Sequence, residues 1–196
     1  MMKKTVLHIL TLGALGISAL IPNTTHAQDM NIDQAYQAIP HNQTPYSLKQ
    51  SRLPDADAKY LDHYFFVSDI ALRARVMALN RFLGKTPAID IQTYNQEVEN
   101  AIASFALIQT PRHLQQIENT LISALRDQQS FFNEWNDMAG THGYSRLQKT
   151  YTRHPKVMSS HQKLIKAYQM LKQTYPSETP YNQNAFFDHL CALDFI

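Results

Sequence analysis

Glycine is scarce after residue 27, where only Gly84, Gly140 and Gly143 occur. Phosphate-binding loops, tight hairpins and nucleophile elbows use glycine for backbone conformations that other residues avoid. All three glycines lie between segments whose apolar residues recur every three or four positions, which is the spacing of one face of a helix. The sequence therefore predicts long helices and leaves little room for folds that depend on glycine.

Four long segments have this helical spacing. The first begins at Asp55 as its N-cap and ends at Gly84, and the second begins at Asp90 as its N-cap. The third begins at Thr110-Pro111, an N-cap followed by proline at the first helical position, and ends at Gly140. The fourth runs from about Pro155 to Tyr175. Two shorter helices are predicted, over Asp29–Ile39 and Asn182–Leu193.

Each predicted helix has an apolar stripe that must be covered. The stripe of the first long helix is formed by Leu61, Phe65, Ser68, Leu72, Val76, Leu79 and Leu83. That of the third is formed by Leu114, Ile117, Leu121, Leu125, Phe132, Trp135 and Met138. Ordering the backbone costs about 1–2 kcal/mol per residue, so no such helix is stable alone in water. We predict an all-α, up-and-down four-helix bundle with additional short N- and C-terminal helices.

The N-terminal 27 residues have the three parts of a secretory signal peptide. Lys3 and Lys4 form a positive start, Val6–Ile21 is apolar, and Thr25-His26-Ala27 resembles a cleavage site. The 16 residues of the apolar part are fewer than the ~20 that a membrane span needs. We predict a cleaved signal peptide over 1–27, a short helix and proline-containing strap over 28–54, and a bundle domain over 55–196. The protein is then periplasmic or secreted, with no membrane span.

Charge and cysteine content limit the classes of partner. Removing Lys3 and Lys4 leaves as many basic as acidic residues, which argues against a nucleic-acid-binding protein. Cys191 is the one cysteine, so the chain cannot form an internal disulfide. Its neighbours Phe187, Leu190 and Leu193 predict that the thiol is buried.

Residues 138–177 form a basic stretch, because they contain no Asp or Glu. We predict that this stretch binds an anionic surface or an acidic protein, and the alternative is that the charges are solvated or pair with neighbouring helices. The candidate binding residues are Arg146, Lys149, Arg153, Lys156 and Lys163.

Two histidines in the basic stretch are the best candidates for metal ligands. His154 and His161 are seven positions apart, which is two helical turns or roughly 10 Å along the axis. That spacing is too long for both side chains of one helix to hold one ion without ligands from elsewhere. We predict no metal and no other cofactor.

Candidates for catalysis are few. His142 stands between Gly140 and Gly143 in a predicted loop, where Glu134 and Asp137 are close enough in sequence to orient it as a general acid or base. Asp69 and Arg73 are four positions apart on the first long helix and can form an ion pair.

Three functions remain open. The first is an exported, non-enzymatic helical binding protein of unidentified partner, and it is the one we favour. The second is a bundle that binds a metal, haem or small molecule in its core. The third is a small periplasmic enzyme that uses His142 or the Asp69–Arg73 pair.

The signal peptide gives the first testable prediction. Mass spectrometry of the protein from its native compartment should find Gln28, unmodified or cyclised, as the first residue, because signal peptidase cuts after small residues such as Ala27. Intact Met1 in the membrane fraction would show instead that Val6–Ile21 is an anchor.

Overall fold

The computed structural model describes residues 43–194, and 79% of these residues are helical with no strand among them. The predicted all-α class is therefore confirmed. The predicted signal peptide and the predicted helix Asp29–Ile39 lie outside the described residues.

Six α-helices follow one another along the described chain. They are α1 (Asp55–Phe82), α2 (Ile91–Ser104), α3 (Gln115–Asp137), α4 (His142–Thr150), α5 (Pro155–Thr174) and α6 (Pro180–Leu193). Four 3₁₀ turns accompany them, at Leu48–Gln50, Phe105–Leu107, Arg112–Leu114 and Tyr151–Arg153. None of the described helices is long and apolar enough to cross a membrane.

Some predicted helix ends are confirmed and two are corrected. The carboxylate of Asp90 caps α2 by accepting a hydrogen bond from the backbone N–H of Thr93 at 2.8 Å. Asp55 is the first residue of α1 rather than its N-cap, because Pro54 takes the cap position. Thr110 does not cap α3, because its hydroxyl donates to Glu118 at 2.5 Å and a 3₁₀ turn precedes the helix.

The helices pack as a closed circuit. In sequence order α1 contacts α2, α2 contacts α3, α3 contacts α5, and α5 contacts α6, which returns to α1. The contact between α3 and α5 is the most extensive, and α1 also touches α3 across the circuit. The C-terminal helix α6 therefore lies between α5 and α1 and covers part of the core.

The apolar face of α1 is wide, as the sequence predicted, but its C-terminal half is rotated from the predicted stripe. Ala74, Ala78 and Phe82 are buried, whereas Val76 and Leu79 are only half-buried. The predicted stripe of α3 is more accurate: its members from Leu114 to Trp135 are buried, and Met138 at its end is half-buried. The buried face of this half of α1 thus follows its alanines and Phe82.

Aromatic rings fill one end of the core. Trp135 is fully buried, and its ring stacks on that of Phe82 with centroids 4.7 Å apart. Phe82 stacks in turn on Phe132 at 5.7 Å, and Tyr94 meets Phe132 edge-on at 4.9 Å. These rings bring α1, α2 and α3 together at one place.

The segment before α1 is held to the C-terminal part of the chain. Glu178, in the turn between α5 and α6, accepts hydrogen bonds from the Ser51 hydroxyl at 2.6 Å and the Arg52 N–H at 3.0 Å. Burial by itself raises the pKa of Glu178, but these bonds and one from the Thr179 N–H outweigh burial and hold that pKa below its ordinary value. Residues 43–54 thus form a strap tied to a buried carboxylate.

The aromatic cluster gives the second prediction. Trp135→Ala should lower the free energy of unfolding by about 3–5 kcal/mol, because it removes a fully buried ring and leaves a cavity. Phe66→Ala is the matched control: Phe66 is 54% exposed, and its loss should change the same quantity by under about 1 kcal/mol. Urea unfolding followed by circular dichroism measures both, and equal losses would contradict the assigned core.

Candidate anion-binding site

The helix α4 was not predicted from the sequence, and it forms the outer wall of the site. It contains no fully buried residue, but its half-buried side chains Tyr144 and Leu147 pack against the hydrophobic core. In addition, the Tyr144 hydroxyl and the Gln148 amide both donate to the backbone carbonyl of Phe82, at 3.1 and 3.2 Å. The ring of Tyr151, just after α4, stacks on Trp135 at 5.7 Å. These contacts fix α4 against the aromatic end of the core.

A concave site of about 510 Å³ lies between α4 and the start of α5. Its cationic side chains are Arg146 and Arg153, and both residues are exposed. The remaining lining residues are Met138, Gly143, Leu147, Thr150, His154 and Pro155, so the lining contains no carboxylate. Among the described residues neither arginine has an acidic partner, and both guanidinium groups are available to an anion. Two of the predicted anion-binding residues thus share one site, which we call the arginine pocket.

The structure places the other three predicted binding residues elsewhere. Lys163 donates to the carboxylate of Asp127 on α3, and Lys156 lies 3.5 Å from the same carboxylate. Lys149 is exposed on α4 but does not line the arginine pocket. Lys156 and Lys163 therefore follow the alternative stated above, in which the basic residues form ion pairs with a neighbouring helix.

Asp127 is the acidic partner in the contact between α3 and α5. Its side chain is only 11% exposed, and that of Lys163 is 30% exposed. Burial raises the pKa of Asp127, but hydrogen bonds from Lys163 and Ser159 and the charges of both lysines outweigh burial and lower it. The carboxylate therefore stays ionised between the two lysines.

His154 and His161 each bond to a different carboxylate. His154 is the N-cap of α5, where its Nδ1 accepts from the Lys156 N–H at 3.3 Å and its Nε2–H donates to Glu134 at 3.2 Å. The Nδ1–H of His161 donates to Asp194. Within residues 43–194 no group of three or more His, Cys, Asp or Glu side chains could hold a metal ion.

The predicted environment of His142 is wrong. His142 is the exposed first residue of α4 rather than part of a loop, and Gly143 lies inside the helix. Glu134, which the sequence offered as its orienting partner, bonds to His154 instead. The sequence interpretation placed a loop here because it took Gly140 and Gly143 together as breaks. Of these two glycines only Gly140 has a positive φ, +81°, which favours glycine.

Asp69 has a partner that the sequence did not reveal. Its carboxylate accepts a hydrogen bond from Nδ1 of His189 on α6 at 2.8 Å, whereas Arg73 donates to the Asp69 backbone carbonyl at 3.3 Å. His189 is 4% exposed, and its Nε2 is buried without a hydrogen-bond partner. The two residues are 120 positions apart, so only the packing of α6 against α1 brings them together.

Cys191 is exposed to solvent, so the prediction that its thiol is buried is wrong. The buried face of α6 carries Phe186, His189, Leu190 and Leu193. Phe187 and Cys191 lie on the outer side of α6. The prediction assumed that residues close to Cys191 in sequence would also cover its thiol in the folded protein.

Comparison with known proteins finds no match to a family model, to a curated protein or to a solved structure. The site is therefore interpreted from its own geometry.

The Asp127 contact gives the third prediction. Lys163→Glu should lower the free energy of unfolding by about 1–3 kcal/mol, because it removes a hydrogen bond from a largely buried carboxylate and sets a like charge beside it. Lys166→Glu, an exposed position on the same helix, is the matched control and should change it by about 0.5 kcal/mol or less. Urea titration measures both variants, and equal stability of the two would show that the ion pair contributes nothing.

Proposed function

We propose that this chain is an exported, non-enzymatic helical protein that binds an anionic surface, lipid or polymer, through the arginine pocket. One observation supports this proposal more than any other. Arg146 and Arg153 line the same concave site, no carboxylate lines it with them, and the nearby lysines at 156 and 163 are already paired.

The chemistry of the two side chains suits an anionic group. A guanidinium group is planar and always charged, and it binds a carboxylate, phosphate or sulfate through two parallel N–H donors. Arg146 and Arg153 line one depression, so both guanidinium groups can donate to an anionic group that enters it. The openness of the site to solvent fits a group displayed on a larger surface better than a small molecule enclosed in a core.

The finer features of the fold and location belong to the same proposal. The helices α1, α2, α3 and α5 are the members of the up-and-down four-helix bundle; contacts between successive members support it, and α6 completes the circuit between α5 and α1. The protein acts in the periplasm or outside the cell after loss of residues 1–27, and it needs no cofactor.

A second candidate function is an enzyme whose base is His189. The hydrogen bond from Nδ1 to Asp69 orients the imidazole as in a general base, and both residues line a depression of about 500 Å³ together with His63 and Phe66. A base must reach the proton that it removes. The Nε2 atom of His189 has no solvent-accessible surface, so we favour a structural role for this pair.

Charge reversal at the arginine pocket gives the fourth prediction. Arg146→Glu combined with Arg153→Glu should abolish binding to vesicles of phosphatidylglycerol and phosphatidylcholine, and retention on heparin. The melting temperature should change little, because both side chains are exposed and have no acidic partner among residues 43–194. Binding by the unaltered protein should weaken steeply with salt, since the Debye length falls from about 10 Å at 0.1 M to about 3 Å at 1 M.

The matched control reverses two cations of the same basic stretch outside the pocket. Lys166→Glu with Lys172→Glu makes the same change in net charge at exposed positions of α5. Retained binding by this control, with loss in the arginine double variant, supports a localised site. Equal loss in both would mean that only the general charge of residues 138–177 attracts the surface.

A further inference from the structure

A depression of about 500 Å³ lies between α1, the strap and α6. One wall is a face of α1, because Asp62, Phe66 and Asp69 are spaced four and three residues apart and all line it. The strap contributes Tyr46, and α6 contributes His189. None of these residues lines the arginine pocket, so this depression is a separate feature of the surface, which we call the acidic depression.

Both carboxylates of the acidic depression keep oxygen atoms that accept no hydrogen bond. The side chain of Asp62 is exposed, and nothing among residues 43–194 donates to it. One oxygen of Asp69 accepts from Nδ1 of His189 at 2.8 Å, and no donor in the described part of the chain reaches the other. The Asp69 side chain is 35% exposed, so that oxygen is open to a ligand.

His189 does not neutralise the charge of Asp69. Its Nε2 atom is buried and has no hydrogen-bond partner within the described residues. A proton on that atom would add a charged donor without an acceptor, beside the buried ring of Phe65 at 4.8 Å. In the neutral tautomer Nδ1–H donates to Asp69 and Nε2 carries no proton. The Asp69 carboxylate therefore keeps its negative charge.

Aromatic rings lie close to the two carboxylates. Phe66 is half-exposed, and the ring of His63 stacks beside it with centroids 6.2 Å apart. Phe65, which is buried, also lines the depression, and its ring lies 5.5 Å from that of Tyr46. The faces of aromatic rings attract ammonium groups and pack well on alkyl chains. The rings therefore suit a ligand that is both cationic and apolar.

The charge of the lining also favours a cation. Lys59, one helical turn before Asp62, is the only Lys or Arg among the described residues that line the depression. It is exposed, so its long side chain can extend into solvent. The two carboxylates outnumber this one ammonium group, and a net negative charge remains when the histidines are neutral.

The spacing of the carboxylates selects the kind of cation. Asp62 and Asp69 are seven residues apart, or about 10 Å along α1 at the helical rise per residue. One ammonium group cannot contact both, whereas two ammonium groups joined by an alkyl chain can.

We propose that the acidic depression binds a linear diamine or polyamine. One ammonium group donates to Asp62 and another donates to Asp69, and the alkyl chain between them lies across the ring of Phe66. His189 positions the Asp69 carboxylate through its Nδ1–H. This site is independent of the arginine pocket and takes a ligand of the opposite charge.

Titration calorimetry of the purified protein with spermidine gives the fifth prediction. Spermidine should bind one-to-one with a dissociation constant below about 1 mM. Asp62→Asn should weaken binding about fivefold or more, because it removes a charged acceptor but keeps the size of an exposed side chain. Asp55→Asn is the matched control: it removes the same charge from an exposed position of α1 outside the depression, and should change the affinity by less than about twofold.

A second pair of ligands tests the use of both carboxylates. Hexamethylenediamine should bind about fivefold or more tighter than hexylamine, which has one ammonium group on the same alkyl chain. Asp69→Asn should remove this difference, and its melting temperature shows whether the variant is folded. Absence of spermidine binding would overturn the proposal, as would equal weakening by Asp62→Asn and Asp55→Asn. Equal affinity for the diamine and the monoamine would also overturn it, because the site would then hold a single ammonium group.

Discussion

The stack of Trp135 on Phe82 is the contact on which both the core and the candidate site depend. Its 4.7 Å centroid separation joins the last turn of α1 to the last turn of α3. The backbone carbonyl of Phe82 also accepts hydrogen bonds from Tyr144 and Gln148 of α4. The ring of Tyr151, just after α4, stacks on the ring of Trp135. The helix α4 has no fully buried residue and packs on the core through half-buried Tyr144 and Leu147, so its position depends on Phe82 and Trp135. A change in the aromatic cluster therefore moves the arginines as well as the core.

The acidic residues of α3 determine which members of the basic stretch remain available. Asp127 forms ion pairs with Lys163 and Lys156, and Glu134 accepts a hydrogen bond from His154. Both acidic side chains come from a helix that precedes the basic stretch, so the contact between α3 and α5 is electrostatic as well as apolar. Arg146 lies on α4 and Arg153 in the turn after it, and among residues 43–194 neither arginine forms an ion pair with these carboxylates. The selection of two arginines from a longer run of cations is thus a result of helix packing.

Much of the fold could be predicted from the sequence, and much of the site could not. Apolar spacing predicted α1, α2, α3 and α5, because each has a long buried face whose members recur every three or four residues. It missed α4, whose face toward the core is short and consists mainly of the half-buried residues Tyr144 and Leu147. The cations of the basic stretch could be identified from the sequence. Which of them form ion pairs depends on contacts between distant residues, such as Lys163 and Asp127, which are 36 positions apart. The bond between Asp69 and His189 was missed for the same reason, and Cys191 was misplaced because sequence neighbours on α6 face different sides.

The helix α5 lines two separate depressions of the protein surface at different positions along its axis. His154 and Pro155 at its N-terminal end line the arginine pocket, whereas Ile165 and Tyr168 lie about three to four turns further along and line a second depression of about 220 Å³ between α5 and α6. Those turns place the two surfaces roughly 15 Å or more apart along one axis, from the 1.5 Å rise per residue. Arg146 and Arg153 therefore lie apart from the second depression, and the binding of an anion between them does not require that the second depression be filled.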